Sequence, residues 1–210
     1  MKSDRDIVVV GVLGEVECQA LEDMFSDLPI DFPASILVVF QIPSDVLKAE
    51  QILIRNVLLP FVWAHEGQRI RRSCIYLGSP YANLIVRSWG VLGLEPAMAN
   101  DTHHSGINRL FDSAVHVWGN RIIGMLLNSE RASQVRSLAS IKAAGGIAVL
   151  IDKEKNFSLS FGEAEERNEK ACMSISYDIS KLLGNLVLLP IAKFAGKLSF
   201  KMRIKKIYKC

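Results

Sequence analysis

The sequence predicts a doubly wound α/β fold, in which a mostly parallel, Rossmann-like sheet lies between two layers of helices. Four short apolar runs rich in β-branched residues support this, at 7–10, 36–40, 122–127 and 147–151. Runs of this length and composition are typical of strands that are buried on both faces. Half of the 210 residues are hydrophobic and 22% are charged, so the chain can form a substantial core and is not disordered as a whole.

Helical periodicity separates these runs and accounts for the crossovers between them. It is found in four segments, 17–26, 44–56, 107–118 and 134–144. Ser44 is a suitable N-cap for the second of these helices, and Gly145-Gly146 is a common signal for the end of the fourth. The alternation of strand and helix predicts right-handed crossovers and a three-layer structure.

Between residues 60 and 95 the pattern changes to short strand-like pieces joined by turn residues. The pieces are 61–64, 74–78 and 83–87, and they predict a short β-meander inserted between two βα units. We expect one domain over residues 6–187, followed by an extension over 188–210 that lacks the βα rhythm. The tryptophans are well separated in sequence and are expected to pack in the core or in the meander: Trp63, Trp89 and Trp118.

Charge is distributed unevenly along the chain. The net charge is +3, yet residues 191–210 contain seven lysines and arginines and no acid, so the rest holds 18 basic against 22 acidic residues. Binding to nucleic acid is disfavoured, because its affinity needs a basic face on the domain itself. The basic tail is expected to contact an acidic partner or an anionic membrane surface. The alternatives are a strand, another element packed on the domain, or a solvated appendage.

The cysteine pattern and the apolar pattern favour a cytoplasmic protein. The four cysteines, Cys18, Cys74, Cys172 and Cys210, form no CxxC pair and no Cys/His metal spacing. This favours free thiols in a reducing compartment. No apolar run reaches the roughly 18 residues that are needed to cross a bilayer, and the start of the chain lacks a signal-peptide pattern.

We expect neither a cofactor nor a metal. The turn at 11–14 has the pattern GxxG rather than the GxGxxG of dinucleotide-binding proteins. Glu15 and Glu17 follow it, and their charges would repel a phosphate at a helix N-terminus. The adjacent His103 and His104 are not accompanied by a second ligand pair at a spacing suitable for zinc.

Five stretches carry a family resemblance through their order and spacing: VVVGVLGEVE, LPIDFPASILVVFQIP, YLGSPYANL, INRLFDSAVHVWG and KAAGGIAVL. Together they resemble the catalytic domain of the CheB chemotaxis methylesterases, over residues 6–187. The resemblance implies a hydrolase-like α/β sheet with a Ser–His–Asp triad that removes methyl groups from glutamyl methyl esters on chemoreceptors. It also implies chemoreceptors or other chemosensory signalling proteins as partners.

The resemblance assigns the triad positions, and none of them carries the residue that the family uses. The serine of the GAS[TA]GG-like motif corresponds to Leu13, the histidine of QHxP to Gln41, and the aspartate of GMGxDG to Ser133. The methionine near the oxyanion site corresponds to Glu130. Leucine has no nucleophilic atom, and glutamine accepts no proton at neutral pH. A glutamate would repel the charge that develops on a tetrahedral intermediate.

A relocated site is the alternative that the residues leave open. His103, His104 and Ser105 belong to a polar loop at 96–105 that the family places near its active face, and they offer a displaced Ser–His pair. A solvated polar loop is the simpler interpretation.

We therefore predict a catalytically degenerate CheB-like protein. Its role would be non-enzymatic, as a binding or regulatory component of bacterial chemosensory signalling in chemotaxis or pilus motility. The competing hypothesis is an ester hydrolase with a relocated active site. The retained strand–turn–helix rhythm further predicts that Leu13, Gln41 and Ser133 converge in space.

Overall fold

The structure is a computed structural model, and it describes most of the predicted α/β domain. The described residues are 6–13, 23–42, 57–97, 105–127, 136–151, 157–161, 171–173 and 179–188, with the helical residues 47, 50, 51, 53 and 54. Within them the chain forms ten strands: β1 (Ile7–Val12), β2 (Ser35–Phe40), β3 (Phe61–Trp63), β4 (Ile75–Leu77), β5 (Ala82–Arg87), β6 (Val91–Pro96), β7 (Ile122–Leu127), β8 (Ile147–Ile151), β9 (Phe157–Phe161) and β10 (Ala171–Met173). Three helices are described from end to end: α1 (Ser105–Trp118), α2 (Ser137–Ala143) and α3 (Ile179–Leu188).

Eight of these strands form one sheet in the order β3–β4–β2–β1–β7–β8–β9–β10. The first six strands in this order are parallel to one another, and β9 and β10 extend the sheet antiparallel. Strands β5 and β6 form a separate antiparallel hairpin. The predicted fold class, a mostly parallel sheet flanked by helices, is confirmed.

The central strand β1 is buried on both faces, which accounts for its continuous apolar sequence. On one face, Val8 and Val10 pack in a cluster with α3 and with the helical segment at 23–25. We call this the α3 face. On the opposite face, Ile7 and Val9 pack with α1, α2 and the β5–β6 hairpin; this is the α1 face. The helices that follow β1 and those around β7 therefore cover opposite faces, as in a doubly wound sheet.

The predicted β-meander is smaller than the sequence suggested. Strands β3 and β4 were expected to belong to it, but they join the main sheet as parallel strands. Only β5 and β6 are paired antiparallel outside that sheet. The reason is length: β3 and β4 have three residues each, too few for the alternation of apolar and polar positions to indicate how a strand pairs.

The hairpin is fixed to the body by polar contacts along both of its strands. On β5, the N–H of Val86 donates to Oγ of Ser113 in α1 at 3.0 Å. On β6, Glu95 forms an ion pair of 2.6 Å with Arg109 of α1. The hairpin therefore lies on α1 as a fixed layer of the α1 face.

Several predictions fall outside the described residues. They include the first part of the helix at 17–26, the N-cap Ser44 and residues 189–210 of the extension. The domain boundary after residue 187 stays a prediction.

Candidate functional site

Leu13 and Gln41 follow the neighbouring strands β1 and β2 at the carboxyl edge of the sheet. The N–H of Leu13 donates to the carbonyl oxygen of Leu127 in β7 at 3.1 Å, and the N–H of Gln41 donates to that of Val12 in β1 at 2.8 Å. Neighbouring strands lie about 4.8 Å apart. The structure thus brings the two positions together, as expected from the strand ends.

This edge is also where a doubly wound sheet forms its binding crevice. The switch point lies between β1 and β7, because the crossovers on either side of it cover opposite faces. The chain leaves β7 at this point and continues into the segment 128–135, which includes Glu130 and Ser133. Both residues lie outside the described part of the chain.

Hydrocarbon fills the end of β1. The Leu13 side chain is 1% exposed and belongs to the buried cluster of the α1 face. The first turn of α1 presses on the strand just before it: a Cβ at Gly11 would lie 2.7 Å from Cγ2 of Ile107 and 2.8 Å from Cδ2 of Leu126. Leu13 is therefore a core residue in a tightly packed corner, and it has no atom that could attack an ester.

Gln41 is half-buried beside this corner. Its amide has a donor and an acceptor but does not take up a proton at neutral pH, so it cannot act as a general base. The pair Leu13 and Gln41 can position or exclude a group by contact, whereas proton transfer and nucleophilic attack are outside its chemistry.

Of the alternative trio His103, His104 and Ser105, the structure describes the backbone of Ser105. Helix α1 begins at Ser105, and Ile107, two residues further on, packs over Gly11 of β1. The start of the helix is therefore beside the end of β1. His103 and His104 lie outside the described residues, so the Ser–His pair stays a prediction.

The two other histidines are far from this corner. His65 is exposed after β3, three strands from β1, a separation of roughly 14 Å. His116 is exposed in the last turn of α1, about 16 Å along the helix from its start. Neither serves Leu13 or Gln41.

A buried polar pair that the sequence did not predict holds the helices around this edge. Oδ1 of Asn108 accepts hydrogen bonds from the N–H of Ser137 at 3.1 Å and from its hydroxyl at 2.8 Å. Asn108 thus caps the start of α2 from α1, and both side chains are buried. The sequence feature that could have indicated this contact was the single amide of Asn108, next to Ile107 on the apolar face of the helix at 107–118.

Cys74 is not a nucleophile for this site. Cys74 is half-buried just before β4, at the amino edge of the sheet. Burial raises the pKa of its thiol, which outweighs the lowering effects of its hydrogen bond with Tyr76 and the charge of Arg71. A raised pKa reduces the thiolate fraction and with it the reactivity.

Neither a metal-binding cluster nor a membrane-spanning helix is found in the described part of the chain. No group of three His, Cys, Asp or Glu side chains there could hold a metal ion. None of the helices formed by these residues has both the length and the apolar character needed to cross a membrane.

Comparison with known proteins identifies the family. The model of the CheB methylesterase family matches residues 12–168. A protein-glutamate methylesterase/protein-glutamine glutaminase of Myxococcus xanthus is 28% identical over 156 residues, which is 72% of this chain and 44% of the relative. Another, from Anaeromyxobacter dehalogenans, is 32% identical over 70% of this chain and 43% of the relative. The chain thus spans less than half the length of these two relatives.

The fold agrees with that of a solved member. The CheB methylesterase catalytic domain of Thermotoga maritima superimposes with a TM-score of 0.58 at 18% identity, covering 69% of this chain and 78% of that one. The architecture is that of a doubly wound α/β domain. The chain belongs to the CheB methylesterase family.

Proposed function

We propose that this chain is a binding or regulatory member of its family that does not hydrolyse glutamyl methyl esters through the family's triad. The observation that carries the proposal is the burial of Leu13. At the end of β1, where the resemblance assigns the nucleophile, the chain has a hydrocarbon side chain that is 1% exposed.

The neighbouring position supports the same conclusion. Gln41, at the position assigned to the histidine, is held beside Leu13 by the 2.8 Å hydrogen bond of its N–H to Val12. Without a base, even a serine introduced at position 13 would stay a weak nucleophile. Two of the three assigned positions thus lie side by side, and neither carries a group that performs the family's chemistry.

The partners follow from the family. Relatives are named for action on protein glutamate and glutamine side chains, and the resemblance points to chemoreceptors. We infer that the chain is a cytoplasmic protein that binds a chemoreceptor or another chemosensory signalling protein without demethylating it. The basic tail at 191–210 would add contacts to an acidic partner or an anionic membrane surface.

Methanol release from a methylated chemoreceptor tests the catalytic part of the proposal. The wild type should release no methanol above the uncatalysed rate, with the Thermotoga maritima catalytic domain as the positive control. The triple variant Leu13→Ser, Gln41→His, Ser133→Asp should recover little, because an error of about 1 Å in the position of a hydroxyl costs on the order of a hundredfold in rate. Turnover by the wild type would contradict the proposal.

A second candidate is a hydrolase with a relocated active site, and the position of α1 favours it. The helix begins at Ser105 beside the end of β1, and His103 and His104 directly precede it in the sequence. If the wild type releases methanol, Ser105→Ala and His104→Ala should each abolish the release, whereas His116→Ala should not. Equal effects of all three changes would exclude this site as well.

A further inference from the structure

The turn between β5 and β6 presents a tryptophan in a way that folding does not explain. Trp89 is 93% exposed, and its backbone is left-handed, with φ 65° and ψ 18°. For a bulky side chain this conformation is a real outlier, and glycine would adopt it without strain. The exposed indole and the left-handed backbone of Trp89 therefore both lower the stability of the fold. Residues that lower stability in this way are concentrated at functional sites.

The turn is rigidly supported. Gly90 lies against the ring of Trp118, since a Cβ at Gly90 would be 3.4 Å from Cζ2 of that indole. The carbonyl of Gly90 accepts from the N–H of Ile70 at 2.9 Å, and the N–H of Leu92 donates to Gln68 at 2.8 Å. The backbone next to Trp89 is thus fixed in place. This reduces the loss of conformational entropy when a partner binds.

Two arginines lie on the segment that runs beside this turn. The bridge between Arg69 and Val91 places the segment 69–71 beside the start of β6. Ile70 packs towards the core of the α1 face, and Arg69 and Arg71 on either side of it are both exposed. Neither forms an ion pair with any residue that the structure describes.

A third arginine adds to the same charge. Arg87, in β5 just before the turn, pairs with Glu66 at 3.0 Å, and both side chains are about half exposed. Glu66 is engaged a second time, because its other oxygen accepts from the N–H of Leu94 at 2.6 Å. Three arginines against one carboxylate leave the surface cationic.

We propose that Arg69, Arg71, Arg87 and Trp89 form a docking surface, the Trp89 surface, for an acidic segment of a partner protein. Tryptophan and arginine are the side chains that most often dominate binding energies at interfaces. Arginine also recognises carboxylates through paired hydrogen bonds. The complement is an exposed peptide segment with several carboxylates beside an apolar side chain. This inference goes beyond the proposed function and does not depend on Leu13.

Fluorescence anisotropy of a labelled peptide tests the surface on the full chain. The probe is a fluorescein-labelled peptide that alternates glutamate pairs with leucines, and the matched probe has glutamine in place of every glutamate. We expect the first to bind, with an affinity that falls steeply with added salt, and the second not to bind. Equal binding of both peptides would overturn the role of charge.

Two sets of variants locate the binding. Trp89→Ala should weaken it about tenfold, which is typical of an interface hot spot, and the double variant Arg69→Glu, Arg71→Glu should weaken it at least as much. Arg136→Glu makes the same type of charge change at an exposed position before α2 and should change the affinity less than about twofold. The basic tail is intact in all of them, so unchanged binding by the double variant would assign the peptide to the tail and overturn the proposal.

Trp89→Gly separates binding from folding. It relieves the left-handed strain and removes the indole, so the melting temperature should stay the same or rise while binding weakens about tenfold, as in Trp89→Ala. Full binding by this variant would overturn the proposal. Sedimentation of the wild type and of Trp89→Ala tests whether a second copy of the chain binds to this surface instead. A dimer that requires Trp89 would show that it does and would overturn the proposal.

Discussion

The two ends of β1 differ in chemistry although they belong to the same buried strand. At the amino edge, the carboxylate of Asp6 pairs with Arg72, which precedes β4, and at 2.7 Å with Arg121, which precedes β7. At the carboxyl edge, the strand ends in the buried hydrocarbon of Leu13. Polar groups are thus retained where they join segments of the fold. They are absent at the position where the resemblance assigns catalysis.

The largest effect is expected from shortening Leu13. Leu13→Ala should lower the free energy of unfolding by about 3 kcal/mol, because it removes buried methyl groups and leaves a cavity under α1. Leu13→Ser should cost at least as much, since it also buries a hydroxyl. Urea unfolding of the three proteins measures this. A loss below about 1 kcal/mol would mean that the corner is loosely packed and open to a ligand.

The next effect concerns the cap that holds α2 near the same edge. Asn108→Ala should cost about 2 kcal/mol, because the buried N–H and hydroxyl of Ser137 lose their acceptor. Asn108→Asp keeps the acceptor and places a negative charge at the helix start, so it should cost less than half as much. Urea unfolding again provides the measurement, and equal losses in the two variants would contradict the capping role.

A smaller effect is expected at the amino edge. Asp6→Asn removes the charge that pairs with Arg72 and Arg121, and it should cost about 1 kcal/mol because the arginines are half exposed and screened by solvent. The loss should shrink when salt is added. Arg87→Gln, at the more exposed pair with Glu66, serves as the control and should cost less than about 0.5 kcal/mol. A loss at Asp6 as large as that at Leu13 would remove the contrast between the two ends.

The smallest effect is a pH dependence at the amino edge. Burial raises the pKa of the Cys74 thiol above its ordinary value of 9.0 and raises the pKa of Tyr76 as well. Both groups are neutral when protonated, so the folded state favours protonation. Stability is then lost as the pH rises above the unfolded pKa of each group. The urea midpoint should fall between about pH 8 and pH 10, and less so in Cys74→Ala. An equal fall in both proteins would exclude the thiol as a contributor.

The sequence predicted the parts of the fold that rest on continuous burial. The apolar runs at 122–127 and 147–151 match β7 and β8 residue for residue, because strands covered on both faces carry an unbroken hydrophobic signal. The position of Leu13 and Gln41 at one edge followed from the ends of such strands. Trp63 and Trp118 pack against the two core clusters as expected.

Prediction from the sequence failed at single residues whose surroundings are unusual for their residue type. Trp89 was expected to pack in the core or in the meander, which is wrong, because the turn exposes it and composition carries no information on a left-handed backbone. Asn108 was overlooked because a single amide on an apolar helix face forms no pattern in the sequence. Its role is visible only in the fold, where the start of α2 lies next to it. Asn108 acts through a contact with a segment that only the folded chain brings near.

The shortness of the outer strands limits how the sheet can associate. Among the described residues, the sheet ends in β3 and β10, each of which has three residues, and Pro60 directly precedes β3. A strand of a partner needs a longer row of free N–H and C=O groups to add to a sheet, and proline supplies no N–H. Growth of this sheet by strand addition, the route to fibrils, is therefore disfavoured at both of these strands.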